Sequence, residues 1–250
     1  MKIPALVTFS CFLLVSCVTT VQQKKTAPQA ATDTAKTLDK IRVEPRQPAD
    51  IINLLEVTNQ LQIAMAFAGN NNFTGKTVPG YQANSCFLTK NTAEALALVA
   101  QKAQRLGYQL QLLDCYRPQR ASNHLMLWSA DTTDQSTKAS FYPKLQKNQL
   151  SPTFITAYSD HSRASAVDLT LLQKNAAGQW QQLDMGGSYL LFDSISYSDS
   201  TAVNAQQKAN RLLLKDLMQQ QGFISYAREW WHFSLTAENY PTTYFDFPVQ

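Results

Sequence analysis

Ser159-Asp160-His161-Ser162-Arg163-Ala164-Ser165-Ala166-Val167-Asp168-Leu169-Thr170-Leu171 is the stretch on which the reading of this chain turns. It sets two good ligands for a first-row metal, His161 and Asp168, on either side of small residues, and it runs into an apolar segment that reads as a buried strand. Both side chains could point into one cleft, and a third ligand must come from elsewhere. Of three histidines in the chain, only His232 follows this stretch, inside Glu229-Trp230-Trp231-His232-Phe233. That segment also carries Glu229, on the N-terminal side of the histidine. His161, Asp168 and His232 would hold one zinc ion per chain and leave a coordination position open, as hydrolytic rather than structural zinc sites do. Zinc there would act as a Lewis acid. Glu229 would be the general base, taking a proton from the attacking water and passing it to the leaving amine.

The other candidates are weaker. His124 lies between Asn123 and Leu125 with no second ligand at i+3 or i+4, and it reads as structural. No Gly-x-Ser-x-Gly elbow supports a serine hydrolase, and Ser159 beside His161 is only a neighbour in sequence. The charge of +4 and pI near 8.8 are mild, with Lys and Arg scattered, which argues against nucleic acid as a partner.

A chain of 250 residues, 44% hydrophobic, is enough for one domain with a real core. Its start, Met1-Lys2 followed by the apolar run Ile3 to Val15, is too short to span a bilayer and reads as an export signal. It ends in Leu14-Val15-Ser16-Cys17, which resembles a bacterial lipobox; an ordinary cleaved signal or a short buried helix are the alternatives. The expectation is a lipoprotein signal over residues 1–17 and an acylated Cys17 that anchors the exported protein to a membrane, facing the periplasm. Residues 18–49, rich in Thr, Gln, Ala, Lys and Pro, read as a flexible linker. The folded domain is expected over residues 50–250. In an exported protein Cys86 and Cys115 are either a disulfide or two buried thiols.

Within that domain, Asn91-Thr92-Ala93-Glu94 reads as a capping signal for a helix with apolar positions Leu96, Val99, Ala100, Ala103 and Leu106, stopped at Gly107. Tyr108 to Leu113 alternates as a strand and leads into Asp114-Cys115-Tyr116-Arg117-Pro118. Arg117 at a strand end is either paired with a surface carboxylate or aimed at a substrate. A helix follows from Pro118 to Ala130. Val167 to Leu172 reads as a core strand, and a hairpin turn precedes Trp180. A second helix, capped at Ser200 or Thr201, runs to Gly222, and two antiparallel strands, Phe223 to Ala227 and Trp231 to Leu235, follow.

Ser159-x-His161-Ser162-Arg163-x-Ser165-Ala166-x-Asp168-Leu169-Thr170 and Glu229-Trp230-Trp231-His232 closely resemble the VanX-type D-alanyl-D-alanine dipeptidases, relatives of the D-Ala-D-Ala carboxypeptidases. Asp114-x-Tyr116-Arg117-Pro118, Asn72-Phe73-Thr74-Gly75-Lys76 and Tyr244-Phe245-Asp246-Phe247-Pro248 are similar to the same family. The resemblance runs from about Asp50 to the C-terminus. It implies an α+β fold with a central antiparallel sheet and flanking helices, that of the hedgehog/D-Ala-D-Ala peptidases. It implies zinc on His161, Asp168 and His232, Glu229 as base, and Arg117 stabilising the developing oxyanion. Asp193 is similar to the carboxylate that binds a dipeptide's ammonium, and Ser159 to a contact for its other end. The implied activity is zinc-dependent hydrolysis of D-Ala-D-Ala from cell-wall dipeptides. The alternatives are a D,D-carboxypeptidase or endopeptidase acting on longer stem peptides, and a cell-wall binding module with a vestigial metal site. Three positions depart from the family: Ala164 stands where glycine is usual, Phe67 where a tyrosine is common, and the segment from Met185 to Asp193 is longer.

Overall fold

The computed structural model describes Met1 and residues 41–250. The expected export signal beyond Met1, the expected lipobox with Cys17 and the expected linker up to residue 40 lie outside the described residues. The last part of the expected linker is ordered: strand β1 (Arg42–Glu44) pairs in parallel with β10 (Thr243–Phe245). Edge pairing uses main-chain hydrogen bonds, so a polar segment with little apolar area can still join a sheet, and composition did not reveal it.

The domain is a mixed α/β fold with four helices. Its main sheet has six strands: β3 (Leu61–Ile63), β5 (Tyr108–Asp114), β6 (Ala166–Lys174), β9 (His232–Leu235) and β8 (Phe223–Ser225) in that order, with β7 (Trp180–Gln182) paired to β6. The sheet is antiparallel except at one edge, where β3 runs parallel to β5. β2 (Ile51–Asn53) and β4 (Phe87–Thr89) form a separate antiparallel pair.

One face of the main sheet is apolar, and the helices α1 (Lys90–Arg105) and α4 (Ala205–Gln219) cover it. Leu96, Val99 and Ala103 of α1 and Leu214 and Leu217 of α4 share a buried cluster with Leu110, Leu112, Leu169 and Leu171. The period of 3.6 in the helices and of 2 in the strands presents these residues to one another. Helix α1 begins two residues earlier than Asn91 suggests, with Thr89 at its N-cap. The α4 cap is Asn204, whose side chain and that of Gln207 form a reciprocal capping box, rather than Ser200 or Thr201. Helices α2 (Gln119–Ala130) and α3 (Lys138–Phe141) stand in the connection from β5 to β6. A second apolar cluster, with Phe67, Phe73, Tyr116, Leu125 and Phe192, closes with the aromatic C-terminal segment through Phe245 and Phe247.

Candidate metal centre

Strands β6 and β9 pair so that Asp168 lies directly opposite His232. Alternation turns Asp168 away from the core residues Val167 and Leu169, and turns His232 and Ser234 away from Phe233 and Leu235. His161 comes from the 3-10 turn Asp160–Arg163 just before β6, where Ser159 Oγ accepts from the His161 N–H at 3.3 Å. The turn ends at Ala164, whose φ of 56° lies in the left-handed region. That residue does need positive φ, so an alanine here carries a conformational cost. The resulting cleft has a cavity of about 220 Å³, with His161, Asp168, His232, Glu229, Arg117 and Ser159 among its lining.

Three ligand atoms converge. His161 Nε2 and His232 Nδ1 are 3.1 Å apart, and Asp168 Oδ1 is 3.2 Å from the first and 3.0 Å from the second. The tautomers follow from the outer partners. His161 Nδ1 lies 2.7 Å from the Cys115 carbonyl, which can only accept, so it carries the proton and Nε2 a lone pair. Ser234 Oγ donates to Asp160 Oδ2 at 3.0 Å and accepts from His232 Nε2 at 3.3 Å, which leaves a lone pair on Nδ1. With both rings neutral in these tautomers, two lone pairs and a carboxylate oxygen face one another, an arrangement that a cation can satisfy. A tetrahedral ion with bonds of about 2.0 to 2.1 Å separates its ligand atoms by roughly 3.3 Å, so the donor set and spacing fit zinc.

The surroundings are charged and hydrogen-bonded. Tyr189 donates its hydroxyl to Asp168 Oδ2 at 2.8 Å. Arg117 Nε and Nη2 donate to Asp114 Oδ2 at 2.9 and 2.7 Å, and Tyr81 donates to Asp114 Oδ1 at 2.6 Å. A bulge in β5 makes this possible. The register runs Leu112 to Leu169 and then Asp114 to Asp168, so the extra residue turns fully buried Asp114 onto the same face as Asp168. The Arg117 guanidinium also lies 5.0 Å over the Phe67 ring. Burial pushes the Glu229 carboxyl up to about 7; His232 and Arg117 pull it down, and Asp168 adds to the rise. A carboxyl so tuned can exchange a proton near neutrality.

Every expected ligand, with Glu229, Arg117 and Ser159, lies in this cleft. Asp193 does not line it: the carboxylate caps the turn at Ile195, accepting from its N–H at 3.0 Å, and pairs with Lys144 at 2.9 Å. His124 lies outside the metal group, as its isolation in sequence suggests. Sequence reasoning assigned no role to Tyr189, Asp160, Ser234, Asp114 or the Cys115 carbonyl. Ser234 had a faint signal, sharing the His232 face at i+2, whereas loop-borne Tyr189 had none. Cys86 and Cys115, left open above, are joined in a disulfide.

Two histidines and a carboxylate with converging ligand atoms, next to a buried glutamate and an arginine, define a metal-dependent hydrolase. Residues 47–250 match the family described as D-ala-D-ala dipeptidase. The chain is 40% identical over 195 residues to the D-alanyl-D-alanine dipeptidase of Streptomyces coelicolor, covering 78% of this chain and 95% of that protein. It is 36% identical over 196 residues to the enzyme of that name from Enterococcus faecium, covering 78% and 96%. With its counterpart in Escherichia coli it shares 34% over 193 residues, covering 77% and 88%. The chain belongs to the D-ala-D-ala dipeptidase family, and it is a metallopeptidase.

Proposed function

We propose that this protein hydrolyses D-alanyl-D-alanine to two molecules of D-alanine, with zinc held by His161, Asp168 and His232. The observation that carries the reading is the convergence of three potential ligand atoms, 3.0 to 3.2 Å apart, beside Glu229 and Arg117. The relatives named above support the substrate. His161, Asp168 and His232 would hold the zinc, which would supply a Lewis acid for the peptide carbonyl. Glu229 accepts the proton of the attacking water and returns it to the amide nitrogen, so that the C–N bond breaks and one D-alanine leaves as the amine. Arg117, anchored through Nε and Nη2, has Nη1 left to donate to the oxygen on which negative charge develops. Ser159 stands at the cleft wall as a contact for the dipeptide. The hedgehog/D-Ala-D-Ala peptidase-like arrangement of sheet and helices belongs to the same reading.

Glu229→Gln tests it: the variant should keep zinc and lose about 10²- to 10⁴-fold in kcat on D-Ala-D-Ala. Turnover near the wild-type rate removes Glu229 as the base. One observation favours the second reading, a D,D-carboxypeptidase or endopeptidase on longer stem peptides: Asp193, expected to select a free ammonium, is engaged with Lys144 and the Ile195 N–H. Hydrolysis of N-acetyl-D-Ala-D-Ala as fast as D-Ala-D-Ala would establish it. The signal-like N-terminus supports an exported lipoprotein anchored through Cys17 and facing the periplasm, with salvage of cell-wall dipeptides as its role. Loss of labelling by a fatty acid in Cys17→Ser is the expected result.

A further inference from the structure

The segment from Met185 to Asp193, which carries Tyr189, is bracketed by hydrogen bonds from one arginine. Arg211 of α4 is buried, and it donates to three main-chain carbonyls that bracket the segment: Nε to Met185 at 2.6 Å, Nη2 to Ile195 at 2.9 Å and Nη1 to Tyr197 at 2.7 Å. Inside this clamp Leu190 is held at a φ of 61°. A leucine in the left-handed region is strained, and such strain persists only where the surroundings over-determine it. The turn sends the buried Leu190 side chain to the cleft wall and leaves the Tyr189 ring edge-on to Trp231, with centroids 5.4 Å apart. The Tyr189 hydroxyl then reaches Asp168 Oδ2, while Asp168 Oδ1 faces the two histidines.

We propose that Tyr189 is a positioning residue for the metal centre: its hydroxyl holds the outer oxygen of Asp168, so that the carboxylate presents a single oxygen to a bound divalent cation. The inference rests on the metal-centre reading above.

The test compares wild type, Tyr189→Phe, Tyr189→Leu and His232→Ala for zinc affinity by competition with a chromophoric chelator, for the visible spectrum of the cobalt(II)-loaded protein, and for metal-free melting. Outer partners of metal ligands are typically worth about 10- to 100-fold in affinity. Both Tyr189 variants should weaken zinc by that factor and shift the cobalt bands, because the hydroxyl and not the ring carries the effect. Metal-free melting should show Tyr189→Phe folded and cooperative, with a lower Tm for the hydrogen bond lost to buried Asp168. An affinity for zinc in Tyr189→Phe equal to wild type, with unshifted cobalt bands, overturns the role of Tyr189. Zinc binding undiminished in His232→Ala overturns the metal centre itself, a separate failure.

Discussion

Ala164 pays a conformational penalty next to a metal ligand, since its Cβ crowds the backbone at φ 56° by about 1 kcal/mol or more. The same methyl is fully buried and contributes about 0.8 kcal/mol of apolar burial. Glycine would relieve the first, forfeit the second and gain entropy in the unfolded chain. Ala164→Gly should therefore change stability by less than about 1 kcal/mol, whereas Ala164→Val, with a branched Cβ at positive φ, should lose roughly 2 kcal/mol or more. Thermal melting of the two variants checks both. Arg117 is bound by a similar specificity of shape: two of its nitrogens are committed to Asp114, so only a planar fork can hold that anchor and still donate into the cleft. Arg117→Lys should cost about 10²-fold or more in kcat on D-Ala-D-Ala, with zinc content unchanged. Steady-state kinetics with metal analysis decides it.

At the level of elements, the centre depends on how strand ends are pinned. The disulfide ties Cys86, at the start of β4, to Cys115, at the end of β5, and the Cys115 carbonyl orients His161. In the chain-entropy model a loop of this size is worth roughly 3 to 4 kcal/mol. Replacing both cysteines with serine should lower Tm by about 6 to 16 °C, at roughly 2 to 4 °C per kcal/mol for a domain of this size. Zinc affinity should fall in parallel as the carbonyl loses its anchor. An unchanged affinity would show that β5 holds Cys115 without the bridge. The bulge in β5 and the direct pairing of Asp168 with His232 are the other element-level devices, each turning a polar side chain off the apolar face.

For the whole domain, a metal on His161, Asp168 and His232 would join two regions distant in sequence: the turn before β6 with β6 itself, and β9. An ion that binds only the folded state stabilises it by about 4.1 kcal/mol at a free concentration 1,000 times its Kd. Chelation should accordingly lower Tm by several degrees and abolish dipeptide hydrolysis, and zinc should restore both; calorimetry with and without a chelator reads the shift. The candidate ligand set and Glu229 were legible in the sequence, because their residue types and spacings point to metal chemistry, whereas the position of Arg117 left a surface ion pair and a substrate contact both open until the family resemblance decided between them. The main helices and strands were legible too, since periods of 3.6 and 2 are written locally. The tether's ordered end, the parallel β3 to β5 edge, the diversion of Asp193 to Lys144 and the approach of Tyr189 to Asp168 were not. Each depends on which distant segments meet, and pairing through main-chain groups or a loop hydroxyl leaves no periodic mark along the chain. The sequence by itself determined what this protein can do chemically. Only the tertiary structure decided which oxygen, nitrogen and carbonyl hold each ligand in place, because those partners are brought together by packing across the fold.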